Sequence, residues 1–161
     1  MTIFPADTSA EEVLKMNPDG IVLSNGPGDP MDLQDIIEEI KILMDKKPIL
    51  GICLGHQLLC LATEGQTGKL PFGHHGSNHP VERLADGKTF ITAQNHNYTV
   101  VDMPEVMECT YRNLNDGSVE GMKHKSLPVI SVQFHPEAGP GPYDAEDVFD
   151  AFMAMMEGKH E

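Results

Sequence analysis

The sequence has no tryptophan, only three cysteines, and 11 Lys and Arg residues against 25 Asp and Glu. Each shortage closes a class of function. A formal charge of −14 leaves no basic face for nucleic acid or an anionic membrane, since both are held by positive surfaces. Three widely spaced thiols, Cys53, Cys60 and Cys109, with no CxxC, do not make a disulfide framework and suit a reducing cytoplasm. No apolar run approaches the roughly 20 residues of a membrane span. The opening MTIFPADTSAEE has no basic start and does not read as a signal peptide. What remains, at 161 residues and 40% hydrophobic, is one domain large enough to bury a core.

The first third alternates strand and helix. TIFP (2–5) reads as a short strand, and Thr8 and Ser9, each with a Glu three residues on, cap a helix over 9–16. DGIVLSNGPGDP carries a buried strand over 21–24 into a Gly-Pro loop, where Asp29 and Pro30 suit the start of the next helix. Leu33, Ile36, Ile37, Ile40, Leu43 and Met44 form its apolar stripe. Pro48 ends it, and PILGICLGHQLLCLA (48–62) is a strand that turns directly into another helix. After residue 70 the pattern favours strands: 89–93, 98–101, 107–112, 118–123 and 128–134, with a hairpin turn at NDG (115–117). The last helix, DAEDVFDAFMAMMEG, turns Val148, Phe149, Phe152, Met155 and Met156 inward. The expected class is α/β: an open, mostly parallel sheet flanked by helices, with an antiparallel C-terminal portion, in a single domain over 1–161.

Within this frame Cys53 stands out. GICLG between strand and helix has the form of a nucleophile elbow, with small neighbours at Gly51 and Gly55. The helix N-terminus beneath the sulfur favours thiolate, and the Leu54 N–H is aimed where an oxyanion would develop. A thiolate needs a base and something to orient it. In SVQFHPE, His135 and Glu137 leave an extended chain on one side, stiffened by Pro136. Both candidates follow strand ends, where open α/β sheets bind ligands. The loop SNGPGDP lets Gly26 or Gly28 offer a second backbone donor; it lacks the phosphate-loop pattern. His74, His75, His79 and His96 have no acidic or Cys companion at a familiar zinc spacing, so hydrogen bonding and turn geometry are expected of them. Cys60 and Cys109 read as core.

NGPGDP, GICLGHQ and HPE together resemble the class I (triad) glutamine amidotransferases, which share a flavodoxin-like sheet. FGHHGSNHPV, ITAQNHNYTV and HPEAGPGPYDAEDVFDAF are similar to the small, glutamine-hydrolysing subunits of carbamoyl-phosphate synthases. The resemblance covers essentially the whole chain. It implies that Cys53 attacks the side-chain amide of glutamine, that His135 is the acid and base, and that Glu137 orients it. It gives the oxyanion amides to Leu54 and Gly26, and contacts with glutamine to Gly28, Gln57, Asn95, Asn97 and Tyr98. The implied partner is a carbamoyl-phosphate synthase large subunit, supplied with ammonia for pyrimidine or arginine biosynthesis. No cofactor is expected on this chain, and ATP and magnesium are expected only on that partner.

Two departures are visible. The family carries glycine where this chain has Asn97, in an expected turn after Asn95, a place where Asn tolerates left-handed geometry better than most residues. The chain also lacks the family's N-terminal domain and the strand and helix that precede TIFP, which would leave two sheet edges open to self-association. Two other readings compete: a glutaminase domain for guanylate, anthranilate or aminodeoxychorismate synthesis, against which HHGSNHP argues, and a non-catalytic interaction module.

Overall fold

Alternation over the first 62 residues is realised as β1 (Ile21–Leu23), α2 (Gln34–Leu43), β2 (Ile49–Ile52) and α3 (Leu54–Ala62), preceded by α1 (Ala10–Lys15). These come from a computed structural model that describes residues 1–138 and 146–158. Ser9 caps α1, its hydroxyl accepting from the Glu12 N–H at 3.2 Å. Asp29 caps a 3-10 turn over Pro30–Asp32 that leads into α2. Proline fits there because its missing N–H has no partner to lose.

The remaining strands are β3 (Gln66–Arg83), β4 (Thr89–Asp102), β5 (Met107–Asn113), β6 (Val119–His124) and β7 (Val129–Val132). All seven form one sheet in the order β1-β2-β7-β6-β5-β3-β4. Only β1, β2 and β7 run parallel to one another; the other pairings are antiparallel. The α/β class and the antiparallel later portion therefore stand, and the antiparallel part is the larger one. Its extra length is β3, whose glycines, histidines and prolines show no period-2 apolar pattern. Pairing with β4, not hydrophobic alternation, makes it a strand, and the ladder shifts register between Lys69 and His74 and again between Gly76 and His79. Residues 89–93 and 98–101 are parts of one strand.

The expected strand at 2–5 is absent; the segment ends in a turn in which Pro5 O accepts the Thr8 N–H at 3.1 Å. Four residues ending in proline, with no neighbouring strand to pair with, gain no ladder bonds. β1 is consequently an edge, with Val22 48% exposed.

The core lies on both faces of the parallel part. On one, α1, α2 and α3 bury Ala10, Ile37, Ile40, Leu43, Leu58 and Leu59 against Ile49 and Val129. On the other, α4 (Glu146–Met156) brings Val148, Phe152 and Met155 onto Leu50, Ile52 and Val132, with Phe149 and Met156 packed beside them. That is the inward set the periodicity specifies. The expected first residues of this helix, 144 and 145, lie outside the described residues. The antiparallel part curls until β4 meets the chain beyond β7. An isolated bridge joins Ala93 to His135, whose N–H donates to Ala93 O at 2.9 Å. This closure brings the middle of β4 over the ends of β2 and β7.

Candidate active site

At the end of β2 the chain has one place to turn. Cys53 takes φ +55 and ψ −104, a conformation that costs an L residue on the order of 1–3 kcal/mol. Crowding imposes it. α3 crosses so close to β1 that a Cβ on Gly55 would collide with the Leu23 carbonyl, and one on Gly51 would lie 2.6 Å from Leu59 Cδ1 and 2.8 Å from the Gly55 backbone. The Cys53 N–H donates to Val132 O of β7 at 2.9 Å, which ties the elbow to the strand that leads to His135.

Cys53 is 2% exposed. Its Sγ lies 3.6 Å from the Gln133 side-chain amide nitrogen and 4.0 Å from Asn95 O. Burial pushes the thiol up to about 11; the Leu54 N–H and Gln133 amide pull it down, and the Glu137 carboxylate adds to the rise. The expected bias toward thiolate is thus reversed. Desolvation outweighs the helix terminus, so the sulfur holds its proton until a base takes it.

A hollow of about 190 Å³ opens over the sulfur, lined by Gly26, Pro27, Gly28, Cys53, Gln57, Asn95, His96, Asn97 and Tyr98. Six of the expected residues on three elements therefore share one cavity with Cys53. The Cβ that Gly26 lacks would fall 2.8 Å from Leu54 Cδ2, so the loop and the start of α3 touch. Gln57 spends its amide nitrogen on Tyr98 O at 2.8 Å and Gln133 Oε1 at 3.0 Å, which leaves its carbonyl oxygen for a ligand. Asn97 is not in a left-handed turn: it lies within β4, and its φ is not positive. A continuous strand has no need of glycine there.

His135 and Glu137 pair with each other, Nδ1 to Oε1 at 2.9 Å, the imidazole 12% exposed and the carboxylate 50%. His135 forms the bridge to Ala93 just beyond β7, and Glu137 lies on the short 3-10 turn Pro136–Ala138 that follows it; neither is among the residues lining the hollow. Among the described residues Cys53 Sγ makes no hydrogen bond to the ring; its contacts are with Gln133, Leu54 and Asn95.

One contributor escaped the sequence reading, and a second was expected only to make hydrogen bonds. Gln133, fully buried, holds both Cys53 and Gln57. Its signal was a polar residue inside the apolar strand SVQF. His75 reaches Asn95 Oδ1 at 2.8 Å and Asn97 Oδ1 at 3.0 Å, so one ring braces both asparagines. Gly73 permits this approach: its φ is +72, and a Cβ would lie 2.6 Å from Asn97 Oδ1 and from His75 Nε2. His74, His96 and Glu120 gather ligand-type atoms within 4.8 Å of one another, and the Gln94 carboxamide lies among them, against all three side chains.

The site thus joins an elbow cysteine at a parallel strand end, a hollow over its sulfur and a His–Glu pair just beyond the next strand. The chain belongs to the class I glutamine amidotransferases, whose family model matches residues 1–155. It is 60% identical to the carbamoyl phosphate synthase small chain of Clostridium perfringens over 95% of its own length and 44% of the relative's. To the carbamoyl phosphate synthase pyrimidine-specific small chain of Bacillus subtilis it is 54% identical, over 96% and 43%. The chain spans less than half the length of these curated relatives. Among solved structures, a provisionally assigned GMP synthase subunit from Thermoplasma acidophilum superposes with a TM-score of 0.84 at 26% identity, covering 98% of this chain and 81% of that one. A glutamine amidotransferase of Thermotoga maritima shares the fold at a TM-score of 0.63 and 21% identity, covering 88% and 65%. No helix among the described residues is long and apolar enough to cross a membrane.

Proposed function

We propose that this chain hydrolyses glutamine to glutamate and ammonia through a thioester on Cys53, and that the ammonia serves a carbamoyl-phosphate synthase large subunit. The observation that carries the reading is the elbow cysteine opening into a hollow lined by the Gly26–Gly28 loop and the Asn95–Tyr98 segment. Glutamine binds with its amide over Cys53 Sγ and its polar groups at Gly28, Gln57, Asn95, Asn97 and Tyr98. His135, oriented by Glu137, takes the thiol proton as sulfur attacks the amide carbon. As the S–C bond forms the C=O π bond breaks, and its electron pair makes a tetrahedral oxyanion held by the Leu54 and Gly26 N–H groups. The C–N bond then breaks, and the proton on His135 goes to the departing nitrogen, releasing ammonia. Water, deprotonated by the same imidazole, adds to the thioester; the C–S bond breaks, glutamate leaves and the thiol recovers its proton.

No cofactor enters these steps, and ATP with magnesium belongs to the partner's chemistry. The cytoplasm is the proposed location, since a reactive thiol persists in reducing conditions. The open β1 edge is a proposed route of self-association.

The test is ammonia and glutamate release from glutamine by the chain and by Cys53→Ala, each alone and with a large subunit. A Cys53-dependent signal that grows with the partner is expected. Equal traces from both proteins would favour the interaction module, and stimulation by a guanylate or anthranilate synthase partner instead would move the chain to that branch.

A further inference from the structure

Behind the hollow, on the buried side of β4, sits a polar cluster that the hydrolysis does not use. Glu120 is 0% exposed; among the described residues no Lys or Arg pairs with it, and the nearest ring nitrogen to its Oε1 is His74 Nδ1 at 3.7 Å. Its Oε2 faces the Gln94 amide; its Oε1 has no hydrogen-bond partner, and neither has the side-chain nitrogen of Asn113. The other end of the Gln94 amide touches His74 Nδ1 at 3.2 Å and His96 Nε2 at 2.8 Å. The remaining ring nitrogens face acceptors: His74 Nε2 meets Asp116 Oδ2 at 2.7 Å and His96 Nδ1 meets Tyr98 O at 2.7 Å.

Oxygen and nitrogen of a carboxamide are told apart only by their partners. With the Gln94 oxygen toward the rings, both imidazoles must donate from both nitrogens. That makes two imidazolium ions with ring centroids 4.9 Å apart, beside an ionised Glu120. With the nitrogen toward the rings, each ring accepts one amide hydrogen and donates its own to Asp116 or Tyr98. The Gln94 oxygen then needs a donor on Glu120, and a carboxylic acid supplies it: hydroxyl to Gln94, carbonyl free to accept from Asn113. The cost is one neutral bond, because Thr92 Oγ1 lies 3.0 Å from the amide and spends its hydrogen on His79 O at 2.8 Å. One neutral bond is a smaller loss than two buried cations.

We propose that Glu120 is a protonated carboxylic acid whose hydrogen fixes the Gln94 amide and thereby seats His96 and the Asn95–Tyr98 segment against the hollow. Glu120 is a positioning residue: it touches no substrate and acts through Gln94, His96 and the Tyr98 carbonyl, which also receives the Gln57 amide. Burial agrees, pushing Glu120 up to about 8, with Asp116 adding to the rise and Gln94 and Asn113 opposing it, and holding His96 down at about 4. The titratable groups around it are His74 and His79 on β3, His96 on β4, Cys109 on β5, Asp116 in the β5–β6 turn and Cys53 at the elbow.

The sign follows from linkage. Because the folded chain keeps the proton that the unfolded carboxyl loses near 4.5, the stability tied to it is full below that pH and is lost as pH rises through about 8. Urea unfolding of the chain and of Glu120→Gln, from about pH 5 to about pH 9, reads this directly, since the shared groups cancel. The midpoint of the unchanged chain is expected to fall steadily behind that of Glu120→Gln across this range; parallel curves would overturn the assignment. In the unchanged chain labelled with 13C at glutamate carboxyls, one carbon should still sit at its protonated position at neutral pH. All carbons in the carboxylate position would overturn it even if the variant does not fold. The consequence for binding rests on the proposed hydrolysis: KM for glutamine should rise several-fold above about pH 8 in the unchanged chain and stay level in Glu120→Gln. Absence of any hydrolysis would sink that reading while the unfolding and NMR arms still decide Glu120.

Discussion

The two halves of the site are built by different forces. Around Cys53 the parallel strands and α3 are pressed together until only glycine fits, and backbone crowding forces the cysteine into a positive φ. Around Asn95–Tyr98 the backbone is an ordinary strand, held by a web of side-chain hydrogen bonds from His75, Gln94, His96 and Gln57. Crowding tolerates no substitution and aims one atom. A hydrogen-bonded web can be retuned one member at a time, which suits the recognition of a substrate more than its cleavage.

That contrast can be broken by substitution, and the largest effect is expected at the proposed acid–base pair. His135→Asn should lower kcat for glutamine by about 10²–10⁴-fold, the usual worth of a positioned acid–base. Circular dichroism should stay unchanged, because the imidazole contributes to no core; a loss under tenfold would move the base elsewhere. Next comes the crowded elbow. Gly55→Ala drives a methyl into the Leu23 backbone and should cost about 1–3 kcal/mol or more in urea unfolding. A neutral result would mean that α3 does not press on β1.

Gln133→Leu tests the seam between the halves. It removes a donor to the Cys53 sulfur and an acceptor for the Gln57 amide. The thiol should rise further, alkylation by iodoacetamide at fixed pH should slow, and activity should fall by about tenfold, the equivalent of one lost hydrogen bond. Alkylation at the original rate would show that Gln133 does not act on the sulfur. The smallest effect is expected at the open edge, where Val22→Lys should change stability by no more than about 0.5 kcal/mol. Sedimentation should then show less self-association than in the unchanged chain; an identical profile would remove β1 as the pairing surface.

Legibility in the sequence divides along the same line. The elbow could be read because its requirements are local: a strand, Gly51 and Gly55 around the cysteine, and a helix pattern after it, all within a few residues. The α4 stripe was legible for the same reason, and so was the hairpin turn at 115–117, where Gly117 takes φ +75. β3 was not, since its residues become a strand only by pairing with β4 through shifted registers. The strand expected at 2–5 failed for the opposite cause, a fair strand composition with no partner beside it. At Asn97 the glycine–asparagine difference suggests a turn although the chain there is extended, because no local feature says whether two short strand signals are one.

The sequence by itself determined the helices and strands between residues 10 and 62, the cysteine placed at a strand end, and the His–Glu pair just beyond a second strand, because periodicity, caps and small residues act over short spans. Tertiary structure alone decided that β4 curls back onto the end of β7, that Gln133 and His75 brace the hollow, and that Glu120 is buried with imidazoles and, among the described residues, no Lys or Arg beside it. Those outcomes depend on which groups meet after long stretches of chain close, and the burial that sets the charge of Cys53 and Glu120 exists only once they have.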